Sequence, residues 1–355
     1  MKNYFLLALL VFLSLSCNKN LVGPVEDIPG SSNYEWTIDT TNVTYDHSLY
    51  RLYASSADDA WACGYGEVWH YNNGKWSKDQ SVTGYSYDVL GGVDKENVWM
   101  AANGNYYGVD MFKYNGSRWS KFGHYEYKKV ESYAYLNDVW GDSPNNIYGV
   151  GVAFTKSFSR NIGFILSYDG TEWKTLDLPT DGFNFYGIRR DTKGNGKYYI
   201  YGEQVLIDTT TNPVSVTNNG YKILEFNGYS LKEIFATKSY SLYPVTVGGY
   251  IYFIGDNTIK KLQNGNFVTI KDFSETEYRV WKGVGKNSKD MVLLCEKSNN
   301  YNGMKYLVHY NGSELKEIFS TSGNIFGLQM VDDVIFAIVQ TPEGKSTLIR
   351  GKVKP

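Results

Sequence analysis

Cysteine and histidine are scarce in this 355-residue chain, with three of the first and four of the second. Three cysteines do not build a disulfide framework. No pair of histidines has metal-ligand spacing, and no His-Glu-x-x-His motif occurs, so neither a metal centre nor a cofactor is expected. Proline is low, at 8 residues. An excess of one charge is missing too: 35 Lys plus Arg stand against 37 Asp plus Glu. That balance gives no strong field for nucleic acid or an acidic membrane surface. After the leader, no run is long and apolar enough to cross a bilayer. What abounds is tyrosine, at 32, and glycine, at 36. Aromatics with frequent glycine suit many short strands joined by tight turns.

The first segment reads as an address. Lys2 opens it, Tyr4 to Leu15 is apolar, and Ser14-Leu15-Ser16-Cys17 closes it. Such a run is too short for a permanent span and reads as a signal peptide over residues 1–17. Its end resembles a bacterial lipobox, which makes Cys17 the acylated first residue. Ser14 stands where that pattern has leucine. Residues 18–32, with Gly23, Pro24, Pro29 and Gly30, read as a flexible tether. Fully stretched it would reach about 50 Å at roughly 3.3 Å per residue. The expected location is the cell envelope, at the outer membrane or cell surface, through a lipid anchor. Cys63 and Cys295 end apolar strand runs in separate repeats and read as small core residues.

Repeats organise the rest, residues 33–355. An aromatic, a short Asn-Gly or Asp-Gly turn and a bulky residue recur at Tyr71 to Trp76, Tyr114 to Trp119 and Tyr168 to Trp173. Weaker copies lie at Phe226 to Leu231, Leu262 to Phe267 and Tyr310 to Leu315. Asn-Gly between apolar runs predicts a type I′ hairpin. Before each hairpin come two apolar strands around a small-residue turn, clearest in Asp138 to Gly151. Seven such pairs, each with its hairpin, give seven blades of four strands. The last pair is followed by a single strand, Ser346 to Val353. Asn33-Tyr34-Glu35-Trp36 matches the spacing of Gly170-Thr171-Glu172-Trp173, so residues about 33–40 are expected to complete the last blade. The fold expected is therefore all-β: a seven-bladed β-propeller closed by an N-terminal strand.

These repeats, Trp-Gly-x-Ser … Asn-Ile-Tyr-x-Val-Gly … Tyr-Asp-Gly-x-x-Trp, resemble those of bacterial extracellular propeller lipoproteins, similar to kelch and galactose-oxidase-type propellers. The resemblance implies a fold and no activity.

Topology restricts the site. With strands a to d running outward, loops b–c and d–a share one face, and that face receives most of the length variation. Long loops on a rigid scaffold are where binding residues concentrate. Tyr125, Tyr127, Tyr133, Tyr135, Tyr85, Tyr107, Phe185 and Tyr278 fall there and are the candidate ligand-binding residues. A tyrosine offers a flat apolar body and a polar tip at low entropic cost. His70 and His309 occupy equivalent repeat positions and read as structural, which leaves His124 as the one candidate among the histidines for a functional role.

Ser167 to Trp173 resembles a sialidase Asp-box, with Asp169 and Gly170 adjacent where the box separates them. No catalytic constellation emerges. The expectation is a non-catalytic recognition module for a glycan or surface protein. The alternatives are a carbohydrate-active hydrolase or lyase with its site at the central channel, and a scaffold subunit of an envelope complex.

Overall fold

A computed structural model describes residues 27–355, apart from 41–42, 44–47, 106–107, 128–131, 156–158, 212–214, 239–241, 264 and 299–302. The leader and Cys17 lie outside the described residues.

The described residues form seven four-stranded antiparallel sheets and no helix. Blades 1 to 6 cover residues 49–78, 87–126, 132–175, 183–237, 243–272 and 278–321. Blade 7 takes three strands from residues 324–353 and its outermost strand from Tyr34–Thr40. The register pairs Tyr34 with Val353, Trp36 with Gly351 and Thr40 with Thr347. Gly351 is required by the close approach of Trp36, since a Cβ there would sit 2.8 Å from the indole. The Trp36 ring then reaches Phe319 of blade 6 at 4.9 Å. The ring is thus closed between the two chain ends, as the repeat count predicts.

The core is divided among the blade interfaces. Seven hydrophobic clusters each join two neighbouring blades. Tryptophans stitch two of them: Trp61 meets Trp119 edge-on at 5.2 Å, and Trp99 meets Trp173 at 5.1 Å. Cys63 and Cys295 are free and fully buried within these clusters. His70 and His309 bond Asp59 at 2.8 Å and Asp290 at 2.9 Å, the same tie in blades 1 and 6.

Two local expectations are corrected. The type I′ turn appears at Asn73-Gly74, where φ is 49° and 99°. In blades 2, 3, 4 and 6 only the glycine of the corresponding turn has positive φ. There the preceding side chain folds back onto the loop: Asn115 Oδ1 accepts from the Ser117 and Arg118 amides at 3.1 Å, and Asp169 Oδ1 does the same for Thr171 and Glu172. An Asx-turn satisfies those amides without a second left-handed residue.

The second correction concerns the long b–c connections. In blades 2, 3 and 4 much of their length is strand. Asn105 pairs with Gly108, Phe154 with Asn161, and Asp208 with Ser215. Pairing meets the backbone hydrogen-bond requirement within the chain. In blade 4 the ribbon carries Leu206 and Val216 outward, 47% and 64% exposed.

Candidate functional site

The innermost strands surround a central channel with a volume of about 560 Å³. Its wall is set by one repeated irregularity. In six innermost strands the ladder slips near the b–c/d–a face: between Leu49 and Arg51, Tyr87 and Val89, Leu136 and Asp138, Phe185 and Gly187, Val280 and Lys282, and Ile325 and Leu328. The blade 5 strand, Tyr243–Val247, pairs without a slip. A β-bulge re-aims the side chains beside it. Here the bulged positions are Tyr50, Asp88, Asn137, Tyr186, Trp281 and Phe326, of which Tyr50, Asn137 and Phe326 line the channel.

Hydrogen bonds along the inner strands carry the ring from blade to blade. Tyr50 donates to Asp88 Oδ1 at 2.7 Å, linking blades 1 and 2. The Asn103 carboxamide exchanges two bonds with the Leu136 backbone, linking blades 2 and 3. Asn137 donates to the Phe185 carbonyl at 2.6 Å, from blade 3 to blade 4. Thr246 donates to the Arg190 carbonyl at 3.0 Å, and the Val280 amide to Asn257 Oδ1 at 3.0 Å. Lys282 donates to the Phe326 carbonyl at 2.8 Å, and the Ala54 amide to Gln329 at 3.2 Å. The wall is therefore held by polar contacts as well as by apolar packing.

Charge sits just past the bulges. Asp138 accepts from the Ile188 amide at 3.0 Å and forms an ion pair with Arg189. Gly187 makes room for this contact: a Cβ there would lie 2.5 Å from the Tyr201 ring and 3.1 Å from Asp138 Oδ2. Arg51 gives its Nε to the Asp88 backbone carbonyl. Among the described residues, neither Arg51 nor Lys282 has an ion pair. Burial in the wall, with Arg51 nearby, pushes the Lys282 ammonium down from 10.5 to about 8. Burial raises the Tyr50, Tyr201 and Tyr243 hydroxyls above the usual range, so they remain neutral donors.

The sequence-predicted aromatics do not form one open surface. Phe185 is fully buried between blades 3 and 4. Tyr127 belongs to the blade 2–3 core against Phe164, and Tyr278 to the blade 5–6 core with its hydroxyl on Glu317 at 2.7 Å. Their apolar rings complete interfaces, and that burial removes them from the surface. Tyr85 and Tyr125 are half-buried: Tyr85 meets Phe112 edge-on at 5.1 Å, and Tyr125 packs on the blade 2–3 core. Tyr133 and Tyr135 are half-buried as well, with Tyr135 edge-on to Phe154 at 6.1 Å. Tyr107 lies outside the described residues. His124 is exposed and bonds the buried Asp110 at 2.7 Å, so it has a structural partner.

Sequence reasoning missed Arg51, Asp138, Arg189 and Lys282 as site residues. The available signal was a charged residue within each of four inner strands, amid aromatic and aliphatic neighbours. Among the described residues, no group of three His, Cys, Asp or Glu side chains gathers to hold a metal.

A closed ring of seven four-stranded sheets around a lined channel defines a seven-bladed β-propeller. No family model and no curated sequence matches the chain. Solved structures do. YCF48 bound to D1 peptide aligns with TM-score 0.60 at 13% identity, over 94% of this chain and 100% of that one. The β-propeller domain of the trilobed protease from Pyrococcus furiosus, described as having an open velcro topology, aligns with TM-score 0.56 at 10% identity, over 87% and 97%. The WD40 propeller domain of Doa1 aligns with TM-score 0.51 at 10% identity, over 90% and 97%. At these identities the likeness is one of fold.

Proposed function

We propose that this protein is a non-catalytic recognition module that holds a protein segment against the b–c/d–a face, across the channel mouth. The observation that carries this reading is the asymmetry of the two faces. On one, the b–c ribbons of blades 2, 3 and 4 extend around a mouth lined by re-aimed polar and aromatic side chains. On the other, the turns are short and closed by their own hydrogen bonds.

A protein ligand fits the aromatic geometry better than a glycan. A pyranose needs a ring lying flat and open. Arg279 covers Trp281 at 4.4 Å, and Tyr201 and Tyr243 meet edge-on at 5.2 Å. The peptide named with YCF48 is in keeping with this, as a property of that protein. Hydrolysis by paired carboxylates requires two acids flanking a bond. The channel wall has one, Asp138, and it is committed to Arg189 and a backbone amide.

The proposal includes an envelope location with lipidation at Cys17, which rests on the leader sequence. The end of the tether supports a direction for such an anchor. Ser288 donates to Asp27, Asn287 to the Ile28 carbonyl at 3.1 Å, and the Gly30 amide to the Lys289 carbonyl at 3.1 Å. Residues 287–289 form the a–b turn of blade 6, on the face opposite the mouth. A chain anchored through that side would present the mouth outward.

The test is photo-crosslinking in the cells that make the protein. A crosslinking residue is placed at Phe326, on the mouth, or at Tyr229, 90% exposed on the opposite face. Discrete protein adducts from position 326 and none from 229 are expected. Adducts from 229 alone, or from neither site, would refute the face assignment.

A further inference from the structure

Three cations line the channel, Arg51, Arg189 and Lys282, against one carboxylate, Asp138. Asp138 and Arg189 satisfy each other. That leaves Arg51 and Lys282, on blades 1 and 6, each spending one N–H on a backbone carbonyl and none on an acid. The remaining titratable groups around them are the Asp88 carboxylate, which accepts from the Tyr50 hydroxyl and the Asn103 amide and forms no ion pair with either cation, and four tyrosine hydroxyls, those of Tyr50, Tyr53, Tyr201 and Tyr243. All four are raised by burial and stay neutral at pH 7. Two cations without an acid partner, Arg51 lying over the Tyr50 ring at 5.6 Å, at the edge of a cavity with neutral donors form a receptor for a small oxyanion.

We propose that the Arg51–Lys282 pair binds a carboxylate of the partner segment, from an acidic side chain or a chain terminus, inserted into the channel mouth. This deepens the recognition reading of the same face and rests on it. The cavity lies within the range of small-ligand pockets, so it takes a side chain or a terminal residue and not a folded domain. The Arg51 guanidinium is near enough to act on the Lys282 ammonium, and each cation keeps N–H groups beyond its one backbone bond for a shared carboxylate.

The site requires the protonated lysine. Lys282 loses its proton around pH 8 in the free protein, so affinity falls as pH rises through 8. By linkage, a bound anion raises that midpoint.

The experiment uses the soluble chain from residue 18 onward and small probes: acetyl-Gly-Gly-Asp-amide, its Asn counterpart, galacturonate and inorganic phosphate. The readout is the Lys282 Cε resonance against pH, with calorimetric binding at pH 6.5 and 9. The Asp peptide is expected to raise the Lys282 midpoint by one pH unit or more. It is also expected to bind at least tenfold more weakly at pH 9. Arg51→Gln and Lys282→Met should each weaken it tenfold or more, with an unchanged spectrum elsewhere showing that the variants fold. Equal binding of the Asn peptide, or wild-type binding by both variants, overturns the proposal. So does binding of galacturonate or phosphate without the Asp peptide, since the site then serves another anion. Crosslinking from position 326 in Lys282→Met separates the two readings: adducts that persist unchanged leave the recognition face standing and remove the carboxylate pair.

Discussion

Replacing Lys282 with methionine should make the protein more stable. The ammonium sits in the channel wall with Arg51 near it and no acid paired to it. Its pKa falls from 10.5 to about 8. That drop corresponds to about 3 kcal/mol of native-state destabilisation while the lysine is charged in both states. The full cost applies below pH 8. Between about 8 and 10.5 the native protein sheds the proton while the unfolded chain keeps it, so this contribution recovers as pH rises. Methionine fills similar volume without charge. It removes the donor to the Phe326 carbonyl, at about 1 kcal/mol, which channel water partly restores. A net gain of about 2 kcal/mol at pH 7 is expected, shrinking to nothing or reversing near pH 10. The assay is denaturant unfolding of both proteins at pH 7, 8.5 and 10. Cys63, Cys295 and the buried tyrosines begin to ionise in the unfolded chain over this range while burial keeps them neutral in the folded one, so the difference between the two proteins is the quantity that counts. A variant less stable than wild type at pH 7, or a difference independent of pH, would refute the reasoning.

Gly187→Ala should destabilise by about 1–3 kcal/mol, because its Cβ meets the Tyr201 ring at 2.5 Å. The same variant should lower Arg189 order in NMR, since Asp138 is displaced from its partner. Trp36→Ala should cost about 2–4 kcal/mol and raise hydrogen exchange selectively across residues 347–353, which pair with the N-terminal strand; uniform exchange would count against a closure role. In Asp290, burial pushes the carboxyl up, but bonds from His309 and Lys286 outweigh it and hold the pKa below 3.8. Its stabilisation is present above pH 4 and lost as pH falls below. Asp290→Asn should therefore destabilise at pH 7 by about 1–3 kcal/mol and flatten the acid limb of a pH-stability curve.

The architecture was legible because propeller blades repeat. A Tyr-Asp-Gly-x-x-Trp spacing seen once says little, whereas its return fixes strand order and the fit of Trp36 to the unfinished last blade. The local turn type was harder. Asn-Gly in Tyr114 to Trp119 has the same spacing as Asn73-Gly74 yet sits one residue earlier, and that offset changes the side chain from a left-handed corner to a backbone acceptor. The site was legible only in outline. Face and channel follow from topology. Which aromatics stay outside does not, because Phe185 and Tyr278 lie on inner strands and Tyr127 just past an outer one, where their rings pack into interfaces that a linear pattern cannot distinguish from loops. Arg51 and Lys282 were hidden for a related reason: a bulge breaks the alternation just before each of them.

The bulges also explain how a propeller tolerates such charges. In an unbroken strand, alternation sends successive side chains to the two faces of the blade, where the neighbouring blades pack. A charge on either face would have to be buried in an apolar interface, at a cost of several kcal/mol without a partner. Inserting one residue shifts the pattern and turns part of the strand edge towards the channel, where water remains available. Each of the charges on blades 1, 3 and 6 immediately follows such an insertion. Blade 5 has no insertion, and its inner strand presents Tyr243, Pro244, Val245 and Thr246 with no charge. On blades 1, 3 and 6 the wall charge and the bulge are therefore one feature. Straightening the blade 1 or blade 6 strand by deleting Tyr50 or Trp281 would drive Arg51 or Lys282 into a hydrophobic cluster, and those deletions should unfold the ring where point substitutions do not.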